Sequence, residues 1–100
     1  MSQLQDAGRQ IIRNNERVAD TIYQRKIEGA DMVPPTMKGL IAFTELLVTS
    51  GKADSEHMEQ MKIWQEDFAR LADANEKNDL ILVADILHHD LNPQITEWIN

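Results

Sequence analysis

Leu80-Ile81-Leu82-Val83-Ala84-Asp85-Ile86-Leu87 is the most apolar stretch of the chain, and how it is read decides the fold. A short apolar run suits a buried strand as well as a buried helix. A strand needs a partner, however, and no other segment alternates apolar and polar residues with a period of two. The run therefore reads as a fourth helix, capped by Asn78 or Asp79 and expected to be the most buried of the set. Pro93 lacks an N–H, and its ring would collide with the carbonyl of His89 in a regular helix. A break or kink is expected there, with Asn92 capping a new turn in which Ile95, Trp98 and Ile99 face inward.

Upstream, Asp54 or Ser55 caps a third helix that runs to about Glu76. Glu56 and Glu59 suit the positive end of its dipole, and Met58, Met61, Trp64, Phe68, Leu71 and Ala72 recur at three- and four-residue intervals. A second helix is expected to start near Pro35, because Asp31-Met32-Val33-Pro34-Pro35 is the one proline-rich connection. It closes at Thr49-Ser50-Gly51-Lys52 with glycine in the C′ position. Its apolar set, Met37, Leu40, Ile41, Phe43, Leu46, Leu47 and Val48, is wider than one narrow stripe.

In the first helix Leu4, Gly8, Ile11, Val18 and Ile22 repeat at a 4-3 spacing, with Asn15 in the remaining slot and Ile12, Ala19 and Ile27 on the adjacent stripe. Ser2 caps its start, and Gly29 stands where the periodicity stops, giving about 25 residues or roughly 38 Å. Three short polar connections favour antiparallel neighbours. The expectation is all-α, an antiparallel up-down-up-down four-helix bundle, with residues 1–100 forming one domain.

Composition agrees with that class. One hundred residues, 42% apolar and 27% charged, with 4 Gly and 3 Pro, make a folding domain rather than a disordered chain. The formal charge of −7 argues against nucleic acid and against anionic membrane surfaces as partners. No apolar run approaches the roughly 18 to 20 residues of a membrane span, and no signal sequence is evident, so the cytoplasm is the expected compartment. Zero cysteines remove disulfides, Cys-zinc sites and thiol nucleophiles together. The charge is uneven: residues 1–28 carry a net +1, leaving −8 on residues 29–100.

The acids are spread over helical faces, with no Ser-His-Asp order, phosphate-binding glycine loop or H-E-x-x-H, so neither catalysis nor a cofactor is expected. Asp85, His88 and His89 are the residues that most resemble metal ligands, since Asp85 lies three and four residues before the two histidines. A di-metal bundle also needs a second such pair and further inward carboxylates. The other histidine, His57, sits in a first turn beside Glu56, so no metal is expected. Asp85 either faces solvent between Leu82 and Ile86 or forms a buried pair with an arginine of the first helix. Asn15 either fixes helix register or sits at the rim of its stripe.

Arg9, Arg13 and Arg17 form an i, i+4, i+8 ridge that either grips an acidic partner or is a solvated face paired with Glu16, Asp20 and the acidic remainder. Met32, Met37, Met58 and Met61 suit an adaptable groove or plain core filling. Trp98 either pins the tail onto the bundle or leads a detached Ile95, Trp98, Ile99 face onto a partner.

The closing segment resembles a known pattern. Asn78 to Leu87, then Asp90-Leu91-Asn92-Pro93 and Glu97-Trp98, is similar to the C-terminal signature of short bacterial helical proteins of uncharacterised function. Size, acidity and absence of cysteine also resemble flagellar and type III export chaperones. That likeness implies a non-enzymatic protein-binding bundle of adaptor or export-chaperone type. Its recognition surface is expected to combine Arg9, Arg13 and Arg17 with apolar residues near Pro34-Pro35 and Trp98. A metal- or small-ligand-binding bundle and a self-associating homodimer are the alternatives.

Overall fold

The computed structural model describes residues 2–100. Among these the helices are α1 (Gln3–Tyr23), α2 (Glu28–Thr49), α3 (Met58–Glu76), and a composite last helix. In the last, α4 (Leu80–Asp85) runs through a π-helical segment (Ile86–Leu91) into α5 (Asn92–Ile99). No strand occurs among the described residues, and the chain is the antiparallel up-down-up-down four-helix bundle that the periodicity predicts.

The helix starts follow local capping chemistry. The Ser2 hydroxyl accepts from the Gln5 N–H at 3.0 Å, the Asp54 carboxylate from the His57 N–H at 3.0 Å, and the Asp79 carboxylate from the Leu82 N–H at 3.2 Å. Asp54 opens a single 3-10 turn, Ser55–His57, that leads into α3.

The helix ends share one geometry. Lys26 N–H bonds to Thr21 C=O and Arg25 N–H to Ile22 C=O. The same two bonds recur from Lys52 to Leu47 with Gly51 to Val48, and from Asp79 to Ala74 with Asn78 to Asn75. Each end needs a left-handed residue, supplied by Arg25 (φ 60°), Gly51 (φ 80°) and Asn78 (φ 56°).

The α1–α2 turn corrects two expectations. α1 stops at Tyr23, not at Gly29, because the left-handed residue that ends it is an arginine and gives no sequence signal. α2 starts at Glu28, so Pro34 and Pro35 lie inside it. The N–H groups they lack would have met the carbonyls of Ala30 and Asp31, which sit at exposed positions where water can serve them. The opposite face keeps the helix going: Gly29 and Val33 are buried against α1, and a Cβ on Gly29 would come 2.9 Å from Ile22 Cγ1.

Pro93 likewise does not break the last helix. The widened π turn ends just before it, where the Asn92 N–H reaches back to Leu87 C=O, and the chain continues as α5. Asn92 is buried rather than a solvent-facing cap.

α1 is the central element, packed on α2 along one side and on α4, the π segment and α5 along the other, while α3 closes against the last helix. The core centres on Trp64, Phe43, Leu40, Leu47, Leu71, Ile86, Leu87 and Leu91, all essentially fully buried. Each such side chain contributes about 1.5–3 kcal/mol relative to exposure. Six residues expected on apolar faces are exposed instead. Ile27 is 89% exposed because it lies in the turn and not on the α1 stripe, Ile41 and Val48 stand on the outer side of α2, Met58 is exposed in the first turn of α3, and Ile81 and Leu82 leave one side of α4 in solvent.

Candidate functional site

Along α1 and α2 the side chains that face outward between the two helices are short. Ala7 on one wall and Gly39 and Ala42 on the other leave a groove of about 730 Å³. Ile11, Met32, Phe43 and Leu46 form its apolar floor. Phe43 is braced from behind by Trp64, whose ring lies 5.8 Å away at 59° and whose indole N–H donates to the Thr44 hydroxyl at 2.8 Å. The floor is thus tied to α3 and is part of the rigid core.

The polar rim is ordered by a chain of hydrogen bonds across the two helices. The Arg17 guanidinium donates to Asn14 Oδ1 at 3.1 Å, the Asn14 amide donates to the Thr36 hydroxyl at 3.0 Å, and that hydroxyl donates to Met32 C=O at 2.8 Å. Arg17 stands near one end of the groove and Glu45 near the other, and they are the charged residues among those lining it. Such a site, apolar below and sparsely charged at its ends, can receive the apolar face of a helix.

The structure sorts the sequence candidates plainly. Arg9, Arg13 and Arg17 are all exposed on α1, and Arg17 lines the groove together with Met32 and Pro35. Glu16, expected as a partner of this ridge, turns instead to the last helix, where its carboxylate meets His88 Nδ1 at 2.6 Å. Trp98 is 5% exposed and stacks 5.7 Å from His57. The tail is therefore docked, with Gln5 donating to Ile99 C=O at 3.2 Å, and Trp98 is removed from the outer surface expected to include it.

Asp85, His88 and His89 do not converge. Asp85 takes the Tyr23 hydroxyl at 2.5 Å, so its partner on α1 is a tyrosine and not the arginine considered from sequence. His88 faces Glu16, and exposed His89 sits edge-on to His88 at 4.5 Å between ring centres. No group of three or more metal-capable side chains occurs among the described residues. Partial burial, then the hydrogen bond to Asp85, then the negative charges of Asp85, Glu16 and Asp20, push the Tyr23 hydroxyl up to about 12.

Sequence reasoning missed Thr36, Gly39, Ala42 and Glu45, because short and neutral residues carry no chemical signature until two helices bring them together. Asn15 was the exception: its polar side chain in an apolar slot was visible, and it is fully buried, donating to Asn92 Oδ1 at 2.8 Å.

The chain matches, over residues 1–100, the family model described as a domain of unknown function, DUF8042, and belongs to that family. No curated protein and no solved structure matches it.

Proposed function

We propose that this DUF8042 member is a non-enzymatic protein-binding bundle that receives an amphipathic helix in the groove between α1 and α2. It would act as an adaptor or export-chaperone type of module in the cytoplasm. The observation that carries the reading is the groove itself, an open channel whose apolar floor is braced by Trp64. Arg17 at its rim, Pro35 along its wall and Met32 in its floor join two features, the arginine ridge and the apolar residues near the two prolines, in one surface. No helix among the described residues is long and apolar enough to cross a membrane, so the exposed apolar positions are not those of a spanning helix.

The test is capture from lysate of the source cells with tagged wild type, Ala42→Trp and Arg17→Ala as baits. Ala42 is exposed, so the indole fills the groove without entering the core. A stoichiometric protein retained by wild type and lost with Ala42→Trp supports the reading. Recovery of bait with neither a foreign protein nor an untagged second copy of the chain, or of the same protein with Ala42→Trp, overturns it.

A further inference from the structure

The two charges of the groove are placed so that the groove complements itself. Asn14 and Thr36 are hydrogen-bonded across the helices, so Arg17 lies level with Val33 on antiparallel α2. From Val33 to Glu45 α2 rises roughly 18 Å. Gly39 stands halfway between, on the same wall. A twofold axis that passes by Gly39, lies in the plane of the groove mouth and runs across its length turns a second copy to face the first with its groove reversed. It brings Arg17 of each copy level with Glu45 of the other along the groove, within reach of two long side chains, in the reciprocal pattern of an isologous interface. Among the described residues neither Arg17 nor Glu45 forms an ion pair within the chain.

Gly39 itself fits that axis. Gly8 and Gly29 lie where helices of this chain cross, and a Cβ on them would come 2.5 Å from Ile99 Cγ2 and 2.9 Å from Ile22 Cγ1. Gly39 is also interior to a helix, where glycine is disfavoured relative to alanine, yet among the described residues nothing beyond its own helical turn lies within 4 Å of where its Cβ would stand. A second helix backbone meeting α2 at this point supplies the close approach that the chain does not.

We propose that the occupant of the α1–α2 groove is the same face of a second copy of this chain, related by a twofold axis at Gly39 and fixed by reciprocal Arg17–Glu45 pairs. This rests on the groove being a helix-docking surface and specifies what docks there.

The absence of cysteine makes the test clean, since a disulfide in Gly39→Cys can form only between copies. Mild oxidation of the purified chain should convert Gly39→Cys to a covalent dimer much faster than a Glu66→Cys control on α3. Sedimentation velocity from about 1 to 200 µM should find wild type dimeric, Arg17→Glu and Glu45→Arg each weakened about tenfold or more, and the double reversal restored. All these positions are open or exposed, and circular dichroism checks that each variant keeps its helices. A wild type that stays monomeric over this range, or Gly39→Cys coupling no faster than the control, overturns the proposal. If the chain is monomeric but loses a captured protein with Ala42→Trp, the helix-binding groove stands and the second copy is wrong; if neither occurs, both fail.

Discussion

Asn15 of α1 donates its side-chain amide to Asn92 Oδ1 at 2.8 Å in the interior of the bundle, joining the first helix to the last just before Pro93. Asn92 in turn donates to Ile12 C=O at 3.3 Å, while Asn15 Oδ1 has no partner among the described residues. Two amides in a core cost desolvation that their mutual hydrogen bond and the Asn92–Ile12 bond offset. Asn15→Ala should therefore destabilise the fold by about 1–3 kcal/mol, because Asn92 loses its donor. Asn15→Leu combined with Asn92→Leu should cost less than the two single changes together. Urea denaturation of the cycle measures this, and strictly additive losses would contradict the coupling.

Tyr23 is the one tyrosine of the chain, so its phenolate absorbance reports a single group. Its hydroxyl is pushed up to about 12 in the fold, so the folded chain holds the proton more tightly than the unfolded one. The stability this confers is complete below the unfolded value of about 10 and is lost as pH rises towards the folded value. Titration should place the folded midpoint well above that of urea-unfolded chain, and Asp85→Asn should lower it by removing a charge. Coincident folded and unfolded midpoints would show that the Tyr23–Asp85 contact is not held in solution.

Arg25 occupies the left-handed position that glycine fills at the end of α2. A side chain with a Cβ is strained there, by about 1–2 kcal/mol for a typical L-residue. Arg25→Gly should stabilise the bundle by about 1 kcal/mol, less the backbone entropy glycine loses on folding, and raise Tm by about 4–8 °C. Gly51→Ala, the reverse change at the matching position, should lower Tm. A lower Tm for Arg25→Gly would contradict the shared geometry of the two ends.

Gly29 tests the tight α1–α2 crossing. Its absent Cβ would stand 2.9 Å from Ile22 Cγ1 and 3.4 Å from Ile22 Cα, so Gly29→Ala must displace the buried Ile22 side chain. The expected loss is about 1–3 kcal/mol, despite the better helix propensity of alanine. Thermal melts that show no loss would place the two helices further apart.

These outcomes also mark what could be read from the residues in order. Ser2, Asp54, Asp79 and Gly51 act on backbone within a few positions of themselves, and the ends they govern were legible. The α1–α2 turn was not, because Arg25 adopts a conformation its side chain does not advertise, and because burial of Gly29 and Val33 outweighs two prolines. At Pro93 the chain widens into a π turn instead of breaking, an option set by how Ile86, Leu87 and Leu91 pack. Of the groove, Arg17, Met32 and Pro35 were singled out from sequence, whereas Gly39, Ala42 and Glu45 become meaningful only when α1 lies antiparallel beside α2. Tyr23–Asp85 and Glu16–His88 are contacts between opposite ends of the chain, and no local pattern encodes them.

The helix-binding groove is tested most directly by placing a photo-activatable cross-linking residue at Ala42 or at Glu66 in the chain expressed in its own cells. The account predicts a discrete adduct from position 42 and none of comparable yield from position 66, with its mass distinguishing a second copy from a foreign protein. No adduct at 42, or equal smears from both positions, would contradict it.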